Sequence, residues 1–284
     1  MSGIETGEHC NGERWALQNA CMLARLRALL RNYKRFNSLN MTMHETGDVS
    51  AISFRRLRKS YADTAVLHGV ELDVPAGRTF GLVGMNGAGK TTLIKCLLDF
   101  CEFDAGDIRI FSLPSQDTHA RARLAFLPER FVPPYYLTGE DFLRYMMKLY
   151  SCGYEPAQVR RMLAELDLAE SALRKPVRTF SKGMTQKLGL AACLLSNREL
   201  LVLDEPTGGL DPKARALLKD RLQAGRAAGR TVFFTSHALA DVDELCDRMA
   251  VLHEGQLRFS GTPLELRTRF NATTLEQAYL ACIQ

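Results

Sequence analysis

The sequence predicts an α/β fold built on a mainly parallel sheet, and three apolar runs carry this prediction. The first run, Arg78–Val83, leads straight into a glycine-rich loop that is followed by a helical pattern. The other two, Glu199–Leu203 and Thr231–Thr235, each precede a further helical pattern. Strands that alternate with helices in this way are typical of a mainly parallel sheet.

Composition limits the class of protein. The 284 residues are 46% hydrophobic and 24% charged, which is ordinary for a globular chain of one or two domains. The net charge of +5 permits anionic partners without requiring them. No stretch approaches the roughly 18 consecutive apolar residues of a membrane-spanning helix. The acidic first residues also lack the apolar core of a secretory signal.

The eight cysteines are scattered, and none belongs to a CxxC pair. This spacing argues against a zinc site and against a disulfide framework. Buried thiols in a reducing cytosol are the favoured interpretation. Only Cys96 and Cys101 lie near one another in the sequence.

Residues 1–48 differ from the remainder, which we expect to form one domain over 49–284. A basic segment from Arg14 to Phe36 has apolar residues at helical spacing, and it contains the only tryptophan, Trp15. Three interpretations stay open. The segment is an amphipathic helix on an anionic membrane surface, a loosely attached or disordered extension, or a stretch before a true translation start at Met41 or Met43.

The expected elements of the domain follow in chain order. Ile52–Phe54 and Val70–Val74 predict short strands, and Thr91–Phe100 predicts the helix after the glycine-rich loop. From about 118 to 182 helical patterns stand alone, at Gly139–Tyr150 and Pro156–Leu168, which predicts an inserted helical subdomain.

The α/β pattern then returns and runs to a C-terminal tail at about 262–284. Its later elements are predicted at Pro212–Gly225 (helix), Leu239–Cys246 (helix), Arg248–His253 (strand), Leu257–Phe259 (strand) and Leu275–Leu280 (helix).

The glycine-rich loop, Gly84–Thr92, fits the pattern G-x-x-x-x-G-K-[ST]. Its glycines let backbone N–H groups turn toward phosphate oxygens, and the helix that it opens presents its partially positive end to the anion. Lys90 is expected to reach the β- and γ-phosphates, and the Thr91 hydroxyl to bind Mg²⁺. A glycine turn with an incidental lysine would not require the strand before it and the helix after it.

Two carboxylates, Asp204 and Glu205, end the apolar strand Leu200–Leu203. Ligands bind at the carboxyl ends of strands in open α/β sheets. Asp204 is therefore a candidate for holding Mg²⁺, and Glu205 is a candidate general base for the attacking water. If the phosphate loop were not present, an alternative interpretation would be that the two acidic residues cap the next helix.

The segment Phe180–Lys187, just before the carboxylate strand, resembles the signature sequence of ABC-type ATPases. The resemblance implies that Ser181 and Gly183 contact ATP bound to the opposite subunit of a head-to-tail dimer. Read alone, Ser181 is the N-cap of a helix. Lys182 and Met184 depart from the family's usual sequence. A methionine at the position of Met184 resembles the signature sequence of the type-2 exporter subfamily.

Three further positions match the family, and a fourth departs from it. Tyr61 corresponds to the aromatic residue that stacks on adenine, with local packing as its alternative. Asp211 lies in the loop that crosses the dimer interface, and His237 matches the histidine that touches the γ-phosphate. Glu129 stands where the family usually has a glutamine near Mg²⁺; a carboxylate there accepts but cannot donate, so its effect on turnover stays open.

The resemblance implies a P-loop NTPase cassette with a RecA-like core, a small antiparallel β-subdomain and the inserted helical subdomain. The implied catalytic residues are Lys90, Glu205 and His237. The implied ATP-binding residues are Tyr61, Gly84, Met85, Asn86, Gly87, Ala88, Gly89, Lys90, Thr91, Thr92, Glu129, Ser181, Gly183 and Asp211. The implied Mg²⁺-binding residues are Thr91, Glu129 and Asp204.

The implied function is Mg²⁺-dependent ATP hydrolysis that powers transport, with export resting on the resemblance alone. The implied partners are separate transmembrane permease subunits, docked near Tyr135 and Tyr136, and a second ATPase subunit in a homodimer or heterodimer. The implied location is the cytoplasmic face of the plasma membrane. No nucleic-acid partner is expected. Two rivals stay open: an ABC-type ATPase that acts on nucleic acid or ribosomes, and a regulatory cassette that binds ATP and hardly hydrolyses it.

Overall fold

The computed structural model describes residues 50–284. The predicted amphipathic segment Arg14–Phe36 lies outside the described residues, as does the rest of the predicted extension at 1–48.

Strands and helices alternate through most of the domain. The strands are β1 (Ser50–Tyr61), β2 (Thr64–Pro75), β3 (Thr79–Val83), β4 (Ala105–Ile110), β5 (Leu113–Pro114), β6 (Leu124–Leu127), β7 (Leu200–Asp204), β8 (Thr231–Ser236), β9 (Arg248–His253) and β10 (Gln256–Gly261). The helices are α1 (Lys90–Leu97), α2 (Thr118–Arg121), α3 (Gly139–Leu149), α4 (Pro156–Glu165), α5 (Lys182–Leu195), α6 (Pro212–Ala227), α7 (Leu239–Leu245), α8 (Pro263–Arg269) and α9 (Leu275–Ile283), with 3₁₀ turns at Glu170–Arg174 and Val177–Thr179.

The larger sheet has six strands in the order β10-β9-β3-β8-β7-β6, all parallel except for β10. Every residue of β3, β7 and β8 is buried. Strands of a parallel sheet that is covered on both faces read as continuous apolar runs, which explains the pattern seen in the sequence. The mainly parallel sheet predicted from those runs is confirmed.

The smaller sheet is antiparallel, in the order β2-β1-β4-β5. Its strands bury one apolar set, which includes Phe54, Leu72 and Ile108, in a core shared with α1 and with β3. This sheet carries Tyr61 at the last residue of β1.

The helical region lies between β6 and β7. A capping box begins α3, in which Asp141 N–H donates to Thr138 Oγ1 at 3.1 Å and Thr138 N–H donates to Asp141 Oδ2 at 3.3 Å. Apolar residues of α3, α4 and α5, including Phe142, Leu163 and Leu190, pack in one core with β6 and β7.

The predicted start of the helical subdomain, at about residue 118, is wrong. Leu124–Leu127 pairs in parallel with β7 as the edge strand of the larger sheet, and the short helix α2 contacts β4 and β5. The helical region therefore begins after Leu127. A strand of four residues has too few positions to show a periodic pattern, which is why the sequence did not reveal it.

The chain ends in the helices α8 and α9, where a single closing helix was predicted. A second capping box, between Thr262 and Glu265, begins α8. Among residues 50–284, no helix combines the length and the apolarity that crossing a bilayer requires.

Strand register decides which residues meet at the carboxyl edge of the larger sheet. Val83 is aligned with Ser236 across the β3–β8 pair, and Asp204 is aligned with Thr235 across the β7–β8 pair. The residues that directly follow β3, β7 and β8 therefore share one edge. These are the glycine-rich loop, Glu205 and His237.

We expect the centre of β8 to dominate the stability of the domain. Phe233 is fully buried and packs on Phe80 with ring centroids 6.2 Å apart. Phe233→Ala should lower the free energy of unfolding by about 3–5 kcal/mol, because it leaves a cavity in the core. Urea denaturation followed by circular dichroism measures this loss. Leu264→Ala, on the exposed side of α8, should change the same quantity by no more than about 0.5 kcal/mol. Equal losses in the two variants would contradict this account of the core.

Candidate active site

The glycine-rich loop Gly84–Gly89 joins β3 to α1 and cannot carry larger residues at two positions. A Cβ on Gly84 would lie 2.3 Å from the carbonyl oxygen of Leu252. Gly89 has φ of +106°, and a Cβ there would lie 2.9 Å from Leu67. No side chain caps the first turn of α1. Its unpaired N–H groups can therefore bind an anion.

Lys90, the first residue of α1, is buried at the base of this loop. Its Nζ donates to the carbonyl oxygen of Gly84 at 2.5 Å and to that of Met85 at 3.3 Å. Burial lowers the pKa of Lys90, and the negative charges of Glu205, Asp204 and Glu129 act in the opposite direction. The ammonium group therefore lies in a field of three carboxylates.

Asp204 ends β7 and is almost fully buried. Its Oδ1 accepts from Thr235 Oγ1 at 2.5 Å, and its Oδ2 lies 3.5 Å from Thr91 Oγ1. Burial raises the pKa of Asp204, whereas the hydrogen bond from Thr235 lowers it. The carboxylates of Glu129 and Glu205 raise this pKa further, and Lys90 lowers it.

Glu205 has a left-handed backbone conformation, with φ of +51°. For a residue other than glycine this conformation costs on the order of 1–3 kcal/mol, so the surroundings must hold it. The Glu205 N–H donates to Thr235 Oγ1 at 3.0 Å, and Glu205 Oε2 lies 2.8 Å from His237 Nδ1. The carboxylate is thereby aimed at the residue that follows β8.

Thr235 was not predicted as a site residue, yet its hydroxyl contacts both acidic residues. It donates to Asp204 and accepts from the backbone of Glu205. The only sequence signal for this role is a hydroxyl residue near the end of the strand that precedes His237. Recognising it requires the register of β7 against β8.

A cleft of about 590 Å³ opens beside Glu205. Glu129, which follows β6, lines this cleft together with Glu205, His237 and Gln186. The structure thus brings Glu129 to Glu205, the predicted general base, and to His237, which was predicted to touch the γ-phosphate.

The oxygen atoms at this edge suit Mg²⁺. Thr91, Asp204 and Glu129 supply hydroxyl and carboxylate oxygens, which are the ligands that Mg²⁺ prefers. Within residues 50–284, no cluster of three or more histidine, cysteine or acidic side chains could enclose a metal ion.

Tyr61 lies at the end of β1, with a side chain that is partly exposed. Its hydroxyl donates to Cys101 Sγ at 3.6 Å, and Lys59 Nζ lies 4.9 Å from the ring centroid. Burial and the hydrogen bond with Cys101 raise the pKa of Tyr61 to about 12. The phenol is therefore neutral at physiological pH.

Ser181 and Asp211 cap the starts of two helices. Met184 N–H donates to Ser181 Oγ at 3.2 Å, and Ala214 N–H donates to Asp211 Oδ1 at 2.8 Å. A Cβ on Gly183 would lie 3.0 Å from the carbonyl oxygen of Gly209, so the start of α5 approaches the loop before α6. Among the described residues, the side chains of Ser181 and Asp211 accept hydrogen bonds from the first turns of their own helices, and neither is hydrogen-bonded to Lys90 in the phosphate-binding loop.

Comparisons with known proteins identify the family. The model of the family described as ABC transporter matches residues 67–208, which is half of the chain. The Nod factor export ATP-binding protein I of Burkholderia orbicola is 36% identical over 218 residues, which cover 76% of this chain and 72% of the relative. The chain belongs to the ABC transporter family.

A solved structure agrees with this assignment. An ATP-binding subunit of an ABC transporter superposes with a TM-score of 0.75 at 32% identity, covering 82% of this chain and 99% of that subunit. The family and the cassette fold predicted from the sequence are therefore confirmed. An uncharacterized ABC transporter ATP-binding protein of Synechocystis sp. is 40% identical over 201 residues, which are 69% of this ABC protein. The matched segment spans 56% of that relative's length.

We expect Thr235→Val to shift the pH dependence of Mg²⁺-dependent ATP binding. If Asp204 holds Mg²⁺ as expected, its carboxylate is the form that would bind the ion, so this binding should be complete above the pKa of Asp204 and should be lost as the pH falls through it. Removing the hydroxyl removes a hydrogen bond that lowers this pKa. The loss should then occur at a higher pH than in the unchanged ABC protein. Titrations of ATP affinity with and without Mg²⁺ at a series of pH values measure the shift.

Thr231→Val is the matched control, on the same strand. The Thr231 hydroxyl is also buried and accepts from Gly77 N–H at 2.9 Å, away from the carboxylates. Both variants should lose stability, by about 1–3 kcal/mol for Thr235→Val and by less for Thr231→Val, because the N–H group left unpaired is buried at Glu205 and only partly buried at Gly77. A pH shift of equal size in both would show that Thr235 has no specific effect on Asp204.

Proposed function

We propose that this ABC protein binds ATP with Mg²⁺ and hydrolyses it as the ATP-binding subunit of an exporter. The observation that carries the proposal is the meeting of Lys90, Asp204, Glu205 and His237 at the carboxyl edge of β3, β7 and β8. ABC ATP-binding domains are ATPases in general. The geometry at this edge supports the same chemistry here.

The loop Gly84–Gly89 and Lys90 bind the phosphates. Backbone N–H groups at the start of α1 surround the phosphate oxygens, and Lys90 Nζ exchanges its carbonyl partners for the β- and γ-phosphates. Most of the catalysis in phosphoryl transfer comes from such positioning and charge stabilisation. The aromatic ring of Tyr61 stacks on adenine.

Glu205 orients the attacking water and accepts its proton. Its backbone is held by Thr235, and its carboxylate lies 2.8 Å from the His237 ring. The ring is largely exposed, so it can turn from Glu205 toward the γ-phosphate while its backbone N–H stays near the carboxylate. Thr91, Asp204 and Glu129 would hold Mg²⁺, which neutralises charge on the phosphate oxygens when it is bound.

Two copies of the domain assemble head to tail, as a homodimer or with a related subunit. Ser181 and Gly183 then contact the ATP of the opposite copy, and Asp211 lies in the loop that crosses the interface. Two observations support this arrangement: Ser181 and Asp211 are exposed, and their capping contacts fix the starts of two helices.

The transport role rests on the family and on the names of relatives. Export is proposed because relatives at 36% identity are Nod factor export ATP-binding proteins. The partners are transmembrane permease subunits at the cytoplasmic face of the membrane. Tyr135 and Tyr136 are the proposed contact surface, since the two residues are 69% and 71% exposed and Tyr135 lines the cleft that contains Glu129.

We expect Glu205→Gln to separate ATP binding from ATP hydrolysis. The amide keeps the size of the side chain but cannot accept the proton of the attacking water. Phosphate release should fall by about a hundredfold or more, with the Kd for ATP changed by no more than about threefold. Glu276→Gln, an exposed acid on α9, is the matched control and should retain full activity. Undiminished hydrolysis in Glu205→Gln would remove Glu205 from the mechanism.

The same variant tests the transport role. A tagged Glu205→Gln protein, supplied with ATP and Mg²⁺, should hold a closed dimer and copurify a multi-span membrane protein from detergent-solubilised membranes. Recovery with ribosomes or nucleic acid instead would contradict the exporter proposal.

Glu129 provides a second test, because it adds negative charge where the triphosphate binds. Its carboxylate raises both the pKa of Asp204 and the pKa of Lys90. Glu129→Gln should tighten ATP binding without Mg²⁺ by about twofold to tenfold, through removal of charge repulsion. The gain should be smaller with Mg²⁺, because Glu129 is a candidate ligand.

Binding titrations in EDTA and in Mg²⁺ measure the two affinities. Glu155→Gln is the control, since Glu155 is exposed and makes no capping hydrogen bond at the start of α4. If Glu129→Gln leaves the affinity without Mg²⁺ unchanged, the carboxylate does not face the triphosphate.

A further inference from the structure

Two cysteine sulfurs lie in contact beside the proposed nucleotide site. Cys96 Sγ and Cys101 Sγ are 3.6 Å apart, and both residues are free thiols. Cys96 is buried in the last turns of α1, whereas Cys101 is partly exposed. The helix that carries Cys96 is the one that begins at Lys90.

The turn after α1 brings the two sulfurs together. Asp99 has a left-handed conformation, with φ of +59°, and Phe100 N–H donates back to the carbonyl oxygen of Lys95 at 2.8 Å. This closes the end of the helix and folds Cys101 over its last turn. A disulfide has a sulfur–sulfur distance of about 2.0 Å, so the two sulfurs must approach by about 1.5 Å to bond.

The segment that holds Cys101 is attached to the end of β1. Tyr61 donates to Cys101 Sγ at 3.6 Å, Ser60 N–H donates to Asp104 Oδ2 at 2.6 Å, and Asp104 N–H donates to the carbonyl oxygen of Arg58 at 2.9 Å. A displacement of Cys101 toward Cys96 therefore disturbs the hydrogen bond between the Tyr61 hydroxyl and Cys101 Sγ, and it acts on the strand that carries the ring.

We propose that Cys96 and Cys101 form a reversible disulfide under thiol oxidation, and that this modification weakens ATP binding by displacing Tyr61. The disulfide itself follows from the sulfur geometry alone. Its effect on ATP rests on the proposed function of Tyr61.

The oxidant is a low-molecular-weight disulfide such as glutathione disulfide. Cys101 is the more accessible sulfur; it loses its proton to solvent and attacks one sulfur of the oxidant. The sulfur–sulfur bond of the oxidant breaks, and the first glutathione leaves as a thiolate that takes up a proton. The deprotonated Cys96 sulfur then attacks Cys101 Sγ and releases the second glutathione. Two protein thiols are oxidised to one disulfide, and one glutathione disulfide is reduced to two thiols.

Burial raises the pKa of Cys96 to about 12, so the attack of Cys96 on Cys101 is the slow step of the oxidation. The loop that the disulfide closes is short, so the bond gains little from restricting the unfolded chain and is readily reduced.

The first measurement is peptide mass after glutathione disulfide treatment, with no nucleotide present. Trypsin cuts after Lys95 and after Arg109, and the intervening peptide holds Cys96 and Cys101 as its only cysteines. The internal disulfide should appear as a loss of about 2 Da that dithiothreitol reverses. A peptide that stays reduced, or that carries glutathione on Cys101, would overturn the proposed disulfide.

The second measurement is ATP affinity, by titration of the same full-length protein before oxidation, after it, and after reduction. Oxidation should raise the Kd for ATP by about threefold to tenfold, as expected for partial loss of a ring-stacking contact. Reduction should restore the starting value. An internal disulfide that leaves the Kd unchanged would overturn the link to Tyr61.

Matched variants assign the effect to this pair. Cys101→Ser keeps an acceptor for the Tyr61 hydroxyl and cannot form the disulfide, so its own Kd should not respond to oxidation. Cys96→Ala, which also lacks the disulfide, serves if that variant does not fold. Cys282→Ser removes a cysteine of α9 and should respond as the unchanged protein does. A response that persists in Cys101→Ser and Cys96→Ala would overturn the assignment.

The proposed function and the proposed disulfide are tested by different measurements. If the reduced protein binds no ATP, the role of the site is wrong, while the peptide mass still reports whether the disulfide forms.

Discussion

The hydroxyl of Thr235 joins the two acidic residues on which the rest of the site depends. It donates to the Asp204 carboxylate and accepts from the backbone of Glu205, so one group fixes the end of β7 and the first residue beyond it. This is possible only because β7 and β8 pair in parallel with Asp204 opposite Thr235. A slip of one residue would turn the hydroxyl to the other face of the sheet. The catalytic geometry is thus a consequence of strand register.

Burial shifts the pKa values of Asp204 and Lys90 in opposite directions, and both shifts disfavour the charged form of the side chain. It raises the pKa of Asp204 and lowers the pKa of Lys90, which means that each charge is costly where it lies. A buried charge is stable only when it is paired. In the proposed function, phosphate oxygens would pair with the Lys90 ammonium and a divalent cation would pair with the Asp204 carboxylate. The burial of both groups therefore supports the proposal that this edge binds a metal–phosphate ligand.

The parts of the fold that could be predicted are those whose chemistry is local in sequence. The loop Gly84–Thr92 and the pair Asp204 and Glu205 could be recognised from the sequence. A phosphate-binding loop needs glycines and a lysine at fixed spacing, and the carboxylates directly follow an apolar strand. Strand β6 and the antiparallel strands β4 and β5 could not be predicted, because runs of two to six residues show no clear period. Thr235 and Asp204 are 31 residues apart, and Cys101 meets Cys96 only through the turn at Asp99. Contacts of this kind depend on register and backbone conformation, which residue types alone do not state.

The loop after Glu205 connects the carboxyl edge of the larger sheet to the helical region through short contacts. Gln186 Nε2 donates to the carbonyl oxygen of Pro206 at 3.2 Å, and Gly183 can approach Gly209 closely because it has no side chain. The next residue of α5, Lys187, donates to the carbonyl oxygen of Asp167, whose side chain also pairs with Lys213 of α6. This end of α5 is therefore bound to the loop after Glu205 on one side, and to α6 and the residues that follow α4 on the other. Because packed elements shift between discrete arrangements and do not deform continuously, a displacement of Glu205 must move this helix start or break these contacts.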